Sequence, residues 1–72
     1  MNISFDEQAD ALYIQFREGS VSKTIKLQDG ILMDIDDCGA VFGIEILDAS
    51  VRLPLDSLGK INIDFPVKSA AK

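Results

Sequence analysis

The stretch ILMDIDDCGAVFGIEILDAS, residues 31–50, decides how this chain folds. Ile31, Met33 and Ile35 alternate with Leu32, Asp34 and Asp36. After them Phe42, Ile44 and Ile46 alternate with Val41, Gly43, Glu45 and Leu47. A period of two puts alternate side chains on opposite faces of a strand, so the two runs read as strands over residues 31–36 and 41–47, each with an apolar side. Asp37-Cys38-Gly39 between them is turn chemistry, with Gly39 free to take a positive φ, and the two strands pair as a hairpin. At Asp48-Ala49-Ser50 the pattern changes. Asp and Ser are favoured N-caps because their side-chain oxygens accept from the unpartnered amides of a first helical turn. Either can open a short helix through Val51, Leu53, Leu55 and Leu58, with Pro54 near its first turn, where proline is tolerated, and Gly59 as its stop.

Reading outward from this stretch, Asp29-Gly30 is a strong hairpin signal and joins residue 31 to an alternating run over residues 21–27. Arg17-Glu18-Gly19-Ser20 is a turn. Residues 11–16 form a further strand, with Leu12, Ile14 and Phe16 on one face and Ala11, Tyr13 and Gln15 on the other. Helix competes there, but the aromatic residues and the period of two favour strand. Asp6 to Asp10 is polar and turn-like, and Met1, Ile3 and Phe5 mark a first strand. Past the helix, Ile61, Ile63 and Phe65 alternate with Asn62 and Asp64, a pattern that allows a sixth strand. The expected architecture is α+β: an antiparallel β-meander of about five strands, with a sixth allowed, and one short C-terminal helix. Residues 1–65 make a single domain and residues 66–72 a frayed tail.

Seventy-two residues bury only about 60% of their unfolded surface, yet 47% of them are hydrophobic. A lone Cys38 forms no internal disulfide, and with no histidine the commonest zinc ligand is missing. Self-association is the simplest way to cover the apolar surface, and a two-fold homodimer is the default. Tyr13, Leu32, Val41 and Leu47, on the second face of the sheet, are the candidate surface. The net charge of −5 repels phosphate backbones and so argues against nucleic acid. It suits a basic protein partner as well as plain solubility. Residues 1–56 hold eleven acids and four bases, whereas residues 57–72 hold one acid and three lysines. No run approaches the roughly 20 apolar residues of a membrane span, and the alternating Ile3/Phe5 run directly after Met1, with no basic segment before it, sets the expectation of no signal peptide. A cytoplasmic location is expected, and one free cysteine fits a reducing compartment.

Two motifs carry a family resemblance. Ile3-Ser4-Phe5-Asp6-Glu7-Gln8-Ala9-Asp10-Ala11-Leu12-Tyr13-Ile14 resembles the D-A-L-Y-I opening of a family of short prokaryotic proteins called domain of unknown function 2283. Gly43-Ile44-Glu45-Ile46-Leu47-Asp48-Ala49-Ser50 matches its G-I-E-I-L-D-A-S signature. Asp29-Gly30 and the acidic turn from Asp34 to Gly39 fall where that pattern has them. The resemblance covers roughly residues 1–58, and Phe5 stands where the family often has Tyr. It implies a small β-rich domain without known catalysis. Some members are suspected antitoxins, and a chain of that kind would mask a small basic toxin.

The chemistry-bearing clusters are thin. Asp34, Asp36, Gly39 and Glu45 fall at positions one, three, six and twelve of an EF-hand loop, but Cys38 takes position five, where a hard cation wants oxygen, and the flanks read as strands rather than helices. Asp6, Glu7 and Asp10 could pair with Glu45 for acid–base work, but nothing beside them supplies a nucleophile or an oxyanion hole. Structural roles are expected for Asp6, Asp10, Gly30, Gly39, Gly43, Asp48 and Ser50, with Asp10 holding the first turn or capping amides. Cys38 lacks the basic neighbours that make a thiol a good nucleophile. No catalytic residue, cofactor or metal site is expected. The leading reading is a non-catalytic protein-interaction module using the acidic rim of Asp34, Asp36, Asp37 and Glu45. The alternatives are a self-assembling structural subunit and a small metal-binding or enzymatic domain built on the acids.

Overall fold

The computed structural model describes residues 1–54, 56, 59–64 and 66. Five strands, β1 (Asn2–Asp6), β2 (Ala11–Gln15), β3 (Lys23–Gln28), β4 (Ile31–Ile35) and β5 (Val41–Leu47), are followed by one short helix, α1 (Ala49–Arg52). All pairings are antiparallel.

The strand order is β1-β2-β5-β4-β3, which corrects the expected meander. After β2 the chain crosses to the far edge through residues 16–22, and β3, β4 and β5 then return by hairpins until β5 lies against β2. This is a Greek-key arrangement with its long connection first. Both ends of the crossing are tied down: Phe16 N donates to Phe42 O at 2.8 Å and Ser22 N to Ile35 O at 2.7 Å. The physical reason lies in the strands themselves. β5 is the longest at seven residues, and a central place gives it two partners. β3 carries Lys23 and Lys26, which suit an edge.

A bulge between Lys26 and Gln28 sets which residues meet across the β3–β4 hairpin. Gln28 lies opposite Ile31 and Lys26 opposite Leu32, so Leu27 is the extra residue. Unbroken counting from the Asp29-Gly30 turn would set Ile25 against Asp34. The bulge instead sets Ile25 against Met33 and Thr24 against Asp34, apolar with apolar and polar with polar. A second bulge sits between Asp34 and Ile35, where the register on β5 jumps from Gly43 to Val41.

The helix is shorter than expected. It ends at Arg52, and Leu53 is extended at φ −125° and ψ 146°. Counted from the Asp48 cap, Pro54 falls in the helix interior rather than its first turn. Proline there drives the residue before it out of the helical region. Leu55, Leu58 and Phe65, which the sequence placed in the helix and a sixth strand, lie outside the described residues. Residues 61–64 take no strand conformation.

Registration gives the sheet two unlike faces. Ile3, Ile14, Ile44 and Met33 lie in one row across β1, β2, β5 and β4, and Phe5, Leu12, Ile46 and Ile31 in the next. The opposite face carries Ser4, Tyr13, Glu45 and Leu32. Among the described residues the buried hydrophobic side chains are Ala11, Leu12, Phe42 and Ala49. Ile3, Ile14, Ile25, Ile31, Met33, Ile44 and Ile46 are half-buried, and Phe5 and Phe16 are exposed. An apolar sheet face needs a second layer to bury it, and the described part of this chain supplies a four-residue helix.

Candidate functional site

The polar face is organised around Asp34. Its Oδ2 accepts from the Tyr13 hydroxyl at 2.7 Å and its Oδ1 from the Thr24 hydroxyl at 2.6 Å. Three strands contribute, because Tyr13 on β2 reaches across β5 to Asp34 on β4, with Thr24 beyond on β3. Gly43 makes the crossing possible. A Cβ there would collide with the Tyr13 hydroxyl and lie 2.6 Å from its Cζ and 2.8 Å from the Ile14 carbonyl. Burial, followed by the Asp34 hydrogen bond and the charges of Asp34 and Glu45, pushes the phenol up to about 12.

Asp36 is spent on its own turn. Oδ1 accepts from the amides of Cys38 and Ala40, both at 2.9 Å, while Asp36 N donates to Ala40 O and Gly39 N to Asp36 O. Oδ2 faces Arg17 at 3.3 Å. The amide of Ala40 above all, then that of Cys38 and the Arg17 guanidinium, outweigh partial desolvation and hold this carboxyl below its ordinary 3.8. Gly39 takes φ 84° in the same turn. Asp6 works in a similar way in the first turn, with Oδ1 accepting from Gln8 and Ala9 at 3.0 and 3.2 Å.

The third cluster joins the two ends of the matched motifs. Asp10, at φ 53°, points its carboxylate at α1: Oδ1 accepts from Ser50 N at 3.0 Å and Oδ2 from the Ser50 hydroxyl at 2.6 Å. Its carbonyl also accepts from Ala49 N at 2.9 Å. Asp48, the positional N-cap, is itself left-handed at φ 53° and makes no side-chain cap bond. The capping carboxylate therefore comes from a residue forty positions away, and Ser50 is the capped residue rather than the cap. The far end of α1 is pinned too. Arg52 Nη2 donates to Asp29 O at 2.6 Å, and a side chain on Gly30, at φ 83°, would collide with that guanidinium.

The structure thus brings Tyr13, Leu32, Asp34, Gly43 and Glu45 together on adjacent strands. Leu47 lies beyond them opposite Ala11, Val41 lies at the second bulge opposite Ile35, and Asp37 is exposed in the turn. Sequence reasoning missed Thr24, Arg17 and Arg52. Thr24 could have been found from the bulge, since a hairpin that keeps Ile25 on the apolar face must place Thr24 opposite Asp34. Arg17 and Arg52 left no local signal. Among the described residues no three acidic or cysteine side chains gather as a metal site. A hollow lined by Met1, Asn2, Gln15, Arg17 and Glu18 holds about 50 Å³, far below the roughly 300 Å³ at which ligand pockets begin. No described helix is long and apolar enough to cross a membrane.

This is a small antiparallel-sheet protein whose polar side chains hold turns and a helix end, and nothing in it points to catalysis. The chain belongs to the family described as Protein of unknown function (DUF2283), which matches residues 2–50. Among its relatives, the uncharacterized protein MJ0789 of Methanocaldococcus jannaschii is 41% identical over 56 residues, 78% of this chain and 47% of that protein. The chain spans about half the length of the curated relative it matches. No solved structure matches it.

Proposed function

We propose that this chain is a non-catalytic protein-interaction module that presents the apolar face of its sheet to a small basic protein, in the manner of an antitoxin and its toxin. The observation that carries this reading is the half-buried row of Ile3, Ile14, Ile44 and Met33, for which the described residues supply no strand or helix beyond α1 as a second layer. A face of that kind is a protein-binding surface by its chemistry. The net charge of −5 selects for a basic occupant by complementarity. The acids contribute through this overall field rather than as ligands, because Asp34 and Asp36 are already engaged within the fold. A cytoplasmic location belongs to the same proposal.

The test is affinity capture of the tagged chain from its native host at low salt, with mass spectrometry of what elutes. Reconstitution of the complex from the two purified chains follows. A stoichiometric small basic protein whose affinity falls with salt and with Ile14→Lys supports the module. Recovery of this chain and nothing else overturns it and leaves a self-assembling subunit.

A further inference from the structure

The two edges of the sheet are built differently, and the difference identifies an interface. The β3 edge is defended in the usual ways, by Lys23, Lys26 and a bulge between Lys26 and Gln28. The β1 edge has none of these. Asn2 to Asp6 pair with Gln15 to Ala11 in five consecutive steps without a register shift, and the strand contains no lysine, proline or glycine. Among the described residues no strand pairs with its outer side, and of its apolar residues Phe5 is 38% exposed, with Met1 just before the strand at 67%.

The strand is also self-complementary. Asn2-Ile3-Ser4-Phe5-Asp6 reads polar, apolar, polar, apolar, polar in both directions about Ser4. We infer that β1 pairs antiparallel with β1 of a second copy about a two-fold axis at Ser4, joining two sheets into one of ten strands. In that register Ile3 faces Phe5 of the other copy, Ser4 faces Ser4, and Asn2 faces Asp6, so no carboxylate opposes a carboxylate. The same patch serves both copies, as a two-fold interface requires. A slip of one residue would set apolar against polar along the whole strand, so the pattern specifies the register as well as the partner. The apolar faces of the two sheets then run on continuously. The inference concerns the edge and a second copy of this chain, and stands apart from the basic partner proposed for the face.

The test uses the purified full chain. Sedimentation across a concentration series measures the dimer, and hydrogen exchange on the wild type follows the amides of residues 2–6. The expected result is a dimer whose residue 2–6 amides become more protected as concentration rises. Ser4→Lys places like charges directly opposite on the two-fold, which destabilises a strand pair. It should weaken the dimer by up to about fivefold, while Ser4→Thr keeps it. Leu27→Lys, at an exposed site on β3, the opposite edge of the sheet, should leave the dimer unchanged. A monomer at every concentration overturns the inference. So do residue 2–6 amides that exchange equally fast in dilute and concentrated samples, or a folded Ser4→Lys that dimerises like the wild type. If Ser4→Lys fails to fold, the wild-type exchange series decides.

Discussion

The Tyr13 hydroxyl donates to Asp34 Oδ2 at 2.7 Å, and it reaches that carboxylate by lying across Gly43. A β2 side chain is thereby tied to β4 over the strand between them, and Asp34 is tied on to β3 through Thr24. Tyr13→Phe removes the donor and leaves Asp34 with the Thr24 hydroxyl. A hydrogen bond to a charged group at a half-buried site is worth about 1–2 kcal/mol. Urea denaturation should show a loss of that size with an unchanged m-value.

Gly43→Ala should cost more than the ordinary gain from replacing a strand glycine. The new methyl would strike the phenol, a movable side chain, but also the Ile14 carbonyl, which is backbone at 2.8 Å. Overpacking of this kind costs about 1–3 kcal/mol. Combining it with Tyr13→Phe should show coupling, because the Gly43→Ala methyl displaces the hydroxyl from Asp34 and so already breaks the bond that Tyr13→Phe removes. The double variant is expected to lose less than the two single losses together.

Asp10 and Ser50 hold the helix to the first turn, and their substitutions separate charge from conformation. Asp10→Ala removes both accepted bonds and places alanine at φ 53°. A lost cap costs about 1 kcal/mol, and a left-handed alanine costs roughly 1 kcal/mol more. Asp10→Asn keeps an acceptor oxygen and tolerates that φ, so its loss should be the smaller one. Ser50→Ala should cost less than Asp10→Ala, and the pair should be non-additive. Thermal unfolding monitored by far-UV circular dichroism ranks all four.

Much of the fold was legible because the strands announce themselves. The fifth strand falls over residues 41–47 in the sequence pattern and in the structure alike, since alternation, the Asp37-Cys38-Gly39 turn and Asp48 bound it on both sides. Strand order was not legible. A seven-residue crossing after Gln15 carries no sign of which edge it seeks, and only pairing energies across the whole sheet put β5 beside β2. The helix is shorter than its pattern suggests because it opens at Asp48 rather than Ser50, which moves Pro54 well beyond the first turn. Asp10 was readable as a residue that caps amides, but which amides it caps depends on a contact forty residues away. Tyr13 looked like an outer-face anchor, and what turns its hydroxyl inward to Asp34 is the missing side chain at Gly43.

The acidic turn should not take up a hard cation. The Oδ1 of Asp36 accepts two amides, and both oxygens of Asp34 accept hydroxyls. A cation would have to displace these bonds. Millimolar calcium or manganese is therefore expected to leave the melting temperature unchanged, whereas a ligand that bound the folded state would raise it. A saturable rise that disappears in Asp36→Asn would reverse this assignment.

The pH dependence of stability should carry the signature of two groups, at opposite ends of the scale. Tyr13 is the one tyrosine in a chain without tryptophan, so its ionisation can be followed by absorbance without overlap. Folding raises its phenol from 10.0 to about 12. The folded state therefore holds this proton more tightly than the unfolded chain does. Its contribution is complete below pH 10 and is lost as pH rises from 10 towards 12. Tyr13→Phe should remove that part of the alkaline decline. Asp36 has the opposite sign, because folding lowers its carboxyl from 3.8. Its contribution is present above that value and fades as pH falls through the lower folded value. Asp36→Asn should flatten the acid limb and leave the alkaline one intact. Denaturation midpoints of the three proteins, taken from pH 2 to pH 12 (the range about these shifts), check both signs in one series. An alkaline limb identical in wild type and Tyr13→Phe would mean that folding does not raise the Tyr13 phenol, by burial or by the Asp34 bond.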